Sequence, residues 1–417
     1  MTGEKVVVLG LGRIGLPTAA CLARAGYEVL GVDVSESRLG EIEEGRLDKI
    51  EPGLTDLVSR VVSSGQLRLA KEPEEGDVFL LCLPTPLGDD LTCNLGYLEA
   101  ALESIAGILS EGNLVILEST VPVHTTRDMV VPKLASMGVD VESILFAYAP
   151  ERIISGKMLE EIRKDDRIVG GTTAEAAEAA GKLYKSFVEG VIFLTDSSTA
   201  ELAKLIENTY RDINIAFANE IALFCEREGL DAWKAIALAN RHPRVDIHRP
   251  GPGVGGHCIP VVPYFLAQGT KHSSMIHSAR QVNDSMPRYV ANLVLRTVSG
   301  TQNPRVALMG VSYKPNSSDT INSPAVQILE HLSKEDLEVV LCDPLVTGSD
   351  LDLVSVEEAM GSDCIVFLLP HEVFKELKPT SPRRGRGSLI DFTHGIDLNI
   401  WAEKGWNVYG FASGPRA

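Results

Sequence analysis

The chain has 417 residues, with 39 Lys and Arg against 57 Asp and Glu, which gives a formal net charge of −18. This acidic excess disfavours nucleic acids and anionic membranes as partners, because both carry negative charge themselves. Seven cysteines without a C-x-x-C pair argue against a metal site and a disulfide framework, while the absence of a long apolar run or a signal-peptide pattern predicts a cytoplasmic protein.

A strand, a glycine-rich turn and a helix open the chain. Lys5–Leu9 is apolar and β-branched, which predicts a buried strand, and a helix is predicted over Leu16–Ala25. The turn between them reads G-x-G-x-x-G, which favours dinucleotide binding because glycines permit a tight turn and a close approach of pyrophosphate to the backbone. A second predicted strand, Tyr27–Val32, ends at Asp33, whose carboxylate would accept hydrogen bonds from a ribose diol and repel a 2′-phosphate. We therefore expect NAD rather than NADP, bound by Gly10, Gly12, Arg13, Ile14, Gly15 and Asp33.

Two segments late in the chain repeat patterns found early in it. Arg305–Val311 repeats the strand-into-glycine pattern of Lys5–Gly15, and Gly361–Pro370 repeats that of Gly76–Pro84. The predicted fold class is therefore α/β, with two Rossmann-like doubly wound domains joined by a central helical region. The second copy departs from the dinucleotide fingerprint at Ser312–Pro315, so we expect it to hold a ligand other than NAD.

One long helix is predicted over Asp196–Glu228 in the central region. Ser198 and Glu201 fit a capping box at its start, and apolar residues recur along it at helical spacing. A helix of this length with an apolar side would join two domains or pack against a second subunit. Lys204 and Asn208 are four residues apart and share one face, which is a candidate functional face or simply a solvated one.

The segment Pro250–Pro260 reads P-G-P-G-V-G-G-H-C-I-P. Glycines let a backbone approach a ligand closely and prolines stiffen the loop, so it could present the thiol of Cys258 to a bound substrate. The alternative is an ordinary turn that ends in a buried structural cysteine.

Six ordered motifs carry a family resemblance. They are Gly10–Gly15, Glu118–Pro122, Ala149–Arg152, Glu201–Asn208, Gly255–Cys258 and Tyr313–Asn316. Together they resemble the UDP-glucose/GDP-mannose dehydrogenase family over nearly the whole chain. The run His242–His248 is most similar to the branch of that family that acts on UDP-N-acetyl-D-mannosamine.

The resemblance implies three domains and a defined chemistry. It assigns residues 1–195 to an NAD-binding domain, 196–300 to a central helical domain with the long helix, the cysteine loop and a dimer interface, and 301–417 to a UDP-sugar-binding domain. Such enzymes oxidise the C6 alcohol of a UDP-sugar to a carboxylate with two NAD per turnover. A cysteine adds to the intermediate aldehyde, and the resulting thiohemiacetal is oxidised to a thioester that water releases.

Five residues of the chain match catalytic positions of the family. Cys258 matches the nucleophile, and Lys204 matches the cation that stabilises negative charge on the C6 oxygen. Asn208 would hold a water or the sugar oxygen. Thr120 and Glu151 match the residues that place water and assist proton transfer, with Glu151 the better general-base candidate.

The resemblance also implies ligand contacts and a homodimer or higher homo-oligomer. Pro84, Thr85 and Thr120 join the NAD-binding residues. Lys314 corresponds to a lysine that contacts substrate, and the alternative is a lysine in a surface turn. Arg244 corresponds to a basic residue that reaches substrate phosphate across the dimer, and the alternative is an arginine that pairs with a local carboxylate. The predicted substrate-binding residues are Glu151, Arg152, Lys204, Asn208, Arg244, Gly255 and Lys314.

Three positions depart from the family pattern. Val262 stands where an aspartate is usual, Ile321 where an arginine is usual, and Thr393 lies in an Asp-Phe-Thr that replaces Asp-Gly-Arg. These departures weaken the expected anion-binding side and raise the question of slow activity or another substrate. The alternatives are therefore UDP-N-acetylglucosamine or UDP-glucose as substrate, a two-electron hydroxyacid dehydrogenase, and a degenerate paralogue that binds nucleotide without turnover.

Overall fold

The computed structural model describes residues 3–47, 51–153, 156–268, 270–347, 349–382 and 384–414. The chain divides into two compact units. The first contains the chain up to Glu207 together with Tyr264–Gln268, and the second contains Asn208–Pro263 and the chain that follows Gln268. The predicted three-domain division, with boundaries after residues 195 and 300, stays a prediction.

An eight-stranded sheet forms the centre of the first unit. Its strands are β1 (Lys5–Leu9), β2 (Glu28–Val32), β3 (Leu67–Ala70), β4 (Val78–Leu81), β5 (Leu114–Leu117), β6 (Leu145–Tyr148), β7 (Arg167–Gly171) and β8 (Ile192–Asp196). Their order is β3-β2-β1-β4-β5-β6-β7-β8, and every neighbouring pair is parallel except β6 and β7. The central strands are apolar throughout because helices cover both faces of such a sheet. This architecture confirms the predicted α/β fold class.

Helices cover the two faces of this sheet. They are α1 (Gly15–Ala25), α2 (Glu36–Glu43), α3 (Leu54–Ser63), α4 (Gly96–Ile105), α5 (Val131–Ser136), α6 (Met158–Lys164) and α7 (Ala174–Lys185), with a π-helical turn at Thr126–Val130 and a 3₁₀ turn at Val141–Ser143. Strand β1 contributes Val6 and Val8 to one apolar cluster and Val7 and Leu9 to another. Alternate side chains of one strand thus feed the cores on opposite faces, as the two-residue period of a strand requires.

The predicted long helix is present as α8 (Ser197–Glu228), but its start differs from the predicted capping box. Asp196 is the capping residue, because its carboxylate accepts the N–H of the third helical residue at 2.9 Å. The carboxylate of Glu201 is buried and accepts instead from the N–H and hydroxyl of Thr126, at 2.8 and 2.7 Å. The pairing of Ser198 with Glu201 was therefore wrong, and Glu201 fastens the helix to the turn that follows β5.

The second unit is built around a five-stranded parallel sheet. Its strands, in the order β10-β9-β11-β12-β13, are β9 (Arg305–Met309), β10 (Glu338–Cys342), β11 (Cys364–Phe367), β12 (Gly387–Asp391) and β13 (Trp406–Gly410). The remaining helices of the described residues are α9 (Ala232–Ala239), α10 (Val262–Ala267), α11 (Ser274–Val298), α12 (Pro324–Leu332), α13 (Val356–Ala359), α14 (Glu372–Lys375) and α15 (Leu398–Glu403). Within the described ranges, no helix is both long and apolar enough to cross a membrane. The cytoplasmic location stays a prediction.

The two sheets repeat one local design with one difference. Gly10 and Gly310 follow β1 and β9 with φ of 91° and 93°, and the next N–H in each case donates to an aspartate at the end of the neighbouring strand, Asp33 or Asp343, at 2.9 and 2.8 Å. Asp343, however, is buried and also lies 3.1 Å from the ring nitrogen of buried His371. Its carboxylate is therefore used internally, which agrees with the expectation that the second copy holds something other than NAD.

Candidate active site

The glycine-rich turn after β1 has the shape that a dinucleotide needs. A Cβ on Gly10, where φ is +91°, would lie 2.4 Å from the carbonyl oxygen of Cys82, and one on Gly15 would lie 1.9 Å from the carbonyl oxygen of Gly10. These two positions therefore require glycine to close the turn against β4 and α1. A Cβ on Gly12 would meet nothing within 4 Å, so this glycine leaves the open side of the turn clear. The turn fits the pyrophosphate of NAD.

Asp33 stands at the carboxyl end of β2, beside that turn. Its two carboxylate oxygens accept the N–H groups of Leu11 and Ser35, each at 2.9 Å. These bonds fix the orientation of the carboxylate, and each oxygen keeps a further lone pair. The geometry suits the two hydroxyls of a ribose, and the charge disfavours a 2′-phosphate at the same place.

The loops after β4 and β5 are tied to each other. The N–H of Leu83 donates to the hydroxyl of Ser119 at 2.7 Å, and the hydroxyl of Thr85 donates to the main-chain carbonyl of Thr120 at 2.7 Å. Pro84 lies between the two tied positions. The predicted cofactor residues of these loops are thus held together at the carboxyl ends of adjacent parallel strands, where α/β sheets bind their ligands.

Lys204 and Glu151 are in direct contact, as a shared site requires. The Nζ of Lys204, on α8, donates to the main-chain carbonyl of Glu151 at 2.5 Å. Arg152, the next residue, forms an ion pair of 2.9 Å with Glu207, one turn further along α8. The loop after β6 therefore runs along the first turns of α8, and three of the predicted substrate residues lie side by side there.

The sequence reasoning missed a buried ion cluster behind Glu151. The guanidinium of Arg167 lies 2.7 Å from Glu118 and 2.8 Å from Glu151, and it stacks over the ring of Tyr184 at 4.0 Å. Burial raises the pKa of Glu118, and the positive charge of Arg167 opposes that rise. Burial alone would lower the pKa of Arg167, but the nearby Glu151 carboxylate and the rest of the cluster raise it above its ordinary value. The available signal was a charged residue directly beside a buried apolar strand, with Glu118 after β5 and Arg167 at the start of β7.

In the second unit, the cysteine loop is packed against the segment that follows β9. The side chain of Cys258 is exposed, and the N–H of Gly256 donates to the carbonyl of Ile321 at 2.9 Å. A Cβ on Gly256, where φ is +93°, would lie 2.7 Å from the ring of Tyr313, and one on Gly255 would lie 2.9 Å from the Cβ of the same tyrosine. Glycine is thus required at both positions, because a larger residue would push the loop and its thiol away from this segment.

The start of the same loop is anchored by a buried polar chain. The N–H of Gly251 donates to the side-chain oxygen of Asn219 at 2.9 Å, and Asn219 donates to Asn283 at 3.0 Å. Asn283 in turn donates to Asp212 at 2.8 Å, and Asp212 is paired with Arg280 at 2.5 Å. Helices α8 and α11 therefore hold the loop at one end while the segment after β9 holds it at the other.

The remaining predicted residues of the second unit differ in their surroundings. The side-chain nitrogen of Asn208 is buried and has no hydrogen-bond partner among the described residues, which costs free energy unless a ligand accepts from it. Arg244 is exposed, and its contacts are with His242, through its own N–H at 3.3 Å and its guanidinium at 3.4 Å. The Nζ of Lys314 lies 5.8 Å from the ring centre of Tyr313.

The three departures from the family pattern each have a local structural role. Val262 is 2% exposed and opens α10, with its N–H donating to the carbonyl of Cys258 at 2.8 Å. Ile321 supplies the carbonyl that holds the cysteine loop, whereas its side chain is exposed. The hydroxyl of Thr393 donates to Asp391 at 2.5 Å and accepts from the N–H of Gly395 at 2.9 Å, which orders the turn after β12. An apolar residue thus suits position 262, where an unpaired charge would be costly to bury.

Three family models match the chain in order. They describe the UDP-glucose/GDP-mannose dehydrogenase family and cover its NAD binding domain at residues 4–188, its central domain at 198–285 and its UDP binding domain at 307–392. These matches confirm NAD as the cofactor and a UDP-sugar as the class of substrate.

Individual relatives span the same length. A UDP-N-acetyl-D-mannosamine dehydrogenase of Methanocaldococcus jannaschii is 41% identical over 100% of this chain and 98% of its own. An NDP-N-acetyl-D-galactosaminuronic acid dehydrogenase of Ralstonia nicotianae is 41% identical over 89% of this chain and 92% of its own. The solved structure of a UDP-D-ManNAc dehydrogenase from Pyrococcus horikoshii is 37% identical, with a TM-score of 0.89 over 98% of this chain and 99% of that one. The chain therefore belongs to the UDP-glucose/GDP-mannose dehydrogenase family.

Proposed function

We propose that the protein oxidises the C6 hydroxyl of UDP-N-acetyl-D-mannosamine to the uronic acid, with two NAD consumed per sugar. The observation that carries the choice of sugar is the 41% identity, over the full chain, to dehydrogenases named for that substrate. The dinucleotide turn after β1 and the exposed thiol of Cys258 support an oxidation that passes through a covalent intermediate.

The residues of the first unit would bind the cofactor and handle charge on the substrate oxygen. NAD, when bound, accepts the hydride that leaves C6. The Gly10–Gly15 turn and Asp33 would hold its pyrophosphate and ribose, and Thr85 and Thr120 border the same edge of the sheet. The ammonium of Lys204, fixed by the carbonyl of Glu151, would stabilise the negative charge that develops on the C6 oxygen.

The residues of the second unit would supply the nucleophile and substrate contacts. The sulfur of Cys258 adds to the C6 aldehyde and forms a C–S bond, and the proton of the thiol ends on the C6 oxygen. Loss of the second hydride from C6 and of the proton from the hydroxyl of this thiohemiacetal leaves a thioester, and water then breaks the C–S bond to release the acid and the thiol. Glu151 and Thr120 would orient that water, and the buried nitrogen of Asn208 would donate to a sugar oxygen. Lys314 and Arg244 would contact the diphosphate.

The substrate preference can be measured directly. With NAD and a panel of UDP-N-acetyl-D-mannosamine, UDP-N-acetylglucosamine and UDP-glucose, we expect two NADH per sugar and a kcat/KM at least about tenfold higher for the first sugar. A misplaced hydroxyl leaves a polar group unpaired, which costs about 1–3 kcal/mol. NADP in place of NAD should slow the reaction, because Asp33 would face its 2′-phosphate. One NADH per sugar, or a higher kcat/KM for another sugar, would contradict the proposal.

We also infer that the protein is a homodimer formed through α8. Five large apolar side chains on this helix are exposed in the single chain: Leu202 by 37%, Ile206 by 50%, Tyr210 by 54%, Phe217 by 48% and Phe224 by 49%. Their successive spacings of four, four, seven and seven residues place them in one stripe. A stripe of this kind on a charged protein marks a surface that another chain covers.

Sedimentation equilibrium tests the dimer. We expect a dimer at micromolar concentration, and a double change of Phe217 and Phe224 to Ser should shift the protein toward monomer. As a matched control, Val191 and Phe193 are changed to Ser. Both are exposed apolar residues, one just before the edge strand β8 and one within it, and neither lies on α8, so this change should leave the dimer intact. A wild-type monomer would refute this part of the proposal.

A further inference from the structure

A buried arginine joins two carboxylates that come from neighbouring strands of the first unit. Arg167 opens β7 with its side chain 5% exposed. One terminal nitrogen donates to Glu118, which follows β5, and the other donates to Glu151, which lies just beyond β6. The side chains of Glu118 and Glu151 are 0% and 8% exposed, so water screens neither contact.

The Glu118 side of this bridge is fixed from every direction. Besides Arg167, three donors reach its carboxylate: the Tyr184 hydroxyl at 2.6 Å, the Cys82 thiol at 3.0 Å and the Thr18 hydroxyl at 3.4 Å. Burial raises the pKa of Glu118, whereas the charge of Arg167 and the hydrogen bonds from Tyr184 and Cys82 favour its ionised form. Glu118 therefore acts as a rigid negative anchor for the guanidinium.

The Glu151 side of the bridge leads to the proposed site. One carboxylate oxygen of Glu151 accepts from Arg167 at 2.8 Å, and the other accepts the N–H of Arg152 at 2.8 Å. The main-chain carbonyl of the same residue accepts from the Nζ of Lys204 at 2.5 Å. Glu151 thus touches the buried arginine with its side chain and the proposed active-site lysine with its backbone.

We propose that Arg167 is a positioning residue for the reaction: by bridging Glu118 and Glu151 it orients the side chain of Glu151 and holds the carbonyl that orients Lys204. This inference rests on the proposed roles of Glu151 and Lys204. A guanidinium is suited to the task because its planar fork serves two carboxylates at once and stays charged at every working pH. Without it, two carboxyl groups would be buried side by side without a shared cation, and the pair would take up a proton.

The test compares Arg167→Gln with Arg167→Lys. For the glutamine variant we expect kcat to fall by about 100-fold with KM for both substrates within about threefold, because positioning acts on the transition state. The acidic limb of its pH–rate profile should move up by about one pH unit, since the carboxyl pair loses its cation. Arg167→Lys should restore the acidic limb of the profile, because the ammonium supplies a positive charge. It should restore only part of kcat, because an ammonium lacks the planar guanidinium that binds both carboxylates at once. The polar groups that surround the pair are the hydroxyls of Tyr184 and Thr18, the thiol of Cys82, the main-chain N–H of Arg152 and the Nζ of Lys204.

Arg305→Gln is the matched control. Arg305 also bridges two carboxylates, Glu338 at 2.9 Å and Glu358 at 2.6 Å, but it lies in the second unit and touches none of the cluster. It should lower thermal stability without moving the pH profile. Equal effects of the Arg167 and Arg305 changes, or an unmoved acidic limb in Arg167→Gln, would overturn the inference.

A second readout does not depend on turnover. In ligand-free protein labelled with ¹³C at the glutamate carboxyl carbon, Arg167→Gln should bring a new carboxyl titration to near neutral pH, and a further Glu118→Gln change should remove it. This result would stand even if the enzyme used none of the UDP-sugars tested, so the two proposals can fail separately. The lack of any new titration in the glutamine variant would also overturn the inference.

Discussion

Replacing Cys258 with serine is expected to abolish acid formation, with a fall in the rate of at least about 1,000-fold, while the affinity for NAD stays within about twofold of wild type. A serine hydroxyl is protonated at neutral pH and is a poor nucleophile toward an aldehyde. The cofactor-binding residues lie in the first unit, whereas Cys258 lies in the second and is exposed, so the change removes no buried contact.

Cys93→Ser provides the control for this substitution. Cys93 is one of the buried free cysteines and lies in a loop of the first unit, so its replacement should cost some stability and leave the rate nearly unchanged. NAD binding is measured by titration calorimetry, and product by chromatography of the nucleotide sugars. Wild-type protein mixed with substrate and NAD should also carry the sugar nucleotide at Cys258 in intact mass spectra. Undiminished acid formation by Cys258→Ser would remove the covalent mechanism.

The parts of the fold that could be predicted are those encoded by neighbouring residues. The strand Lys5–Leu9, the glycine turn and Asp33 lie within thirty residues, and each depends on local patterns of apolar residues and glycine. The same holds for α8, whose apolar spacing fixed its length, although the pattern could not distinguish Asp196 from Ser198 as its cap.

The buried cluster around Arg167 could not be predicted in the same way. Arg167 reaches Glu118 and Glu151 because β7 runs antiparallel to β6, which brings the start of β7 to the edge of the sheet where β5 and β6 end. Nothing in the sequence indicates that β7 reverses direction. A parallel β7 would place Arg167 at the opposite edge of the sheet, away from both glutamates. The clamp on the cysteine loop has a similar origin, because Gly256 and Tyr313 are far apart in sequence and meet only once the second sheet has formed.

A change of Lys204 to methionine is expected to lower kcat by about 100- to 1,000-fold with little change in KM. The methionine side chain is unbranched, shorter than that of lysine and unable to donate to the C6 oxygen, and the loss of one preorganised donor at a developing oxyanion has this magnitude. Because the interaction strengthens in the transition state, kcat and kcat/KM should fall together. Lys204→Arg keeps the charge, but it places a wider group against the carbonyl of Glu151 at a position where Lys204 donates at 2.5 Å. The arginine variant should therefore recover less than a tenth of the lost rate.

Lys133→Met is the control for the Lys204 substitution, and rescue by added amines is the measurement that tests the role of the Lys204 ammonium. Lys133→Met removes a lysine of the same unit that pairs with Glu99 and Glu103, and it should leave kcat unchanged. Small primary amines added to Lys204→Met should restore part of the rate, since a diffusing ammonium can occupy the space that the shorter-reaching thioether leaves beside the Glu151 carbonyl. A tenfold rise in KM at constant kcat would instead assign Lys204 to ground-state binding of the sugar, because a group that stabilises only the transition state cannot produce that pattern.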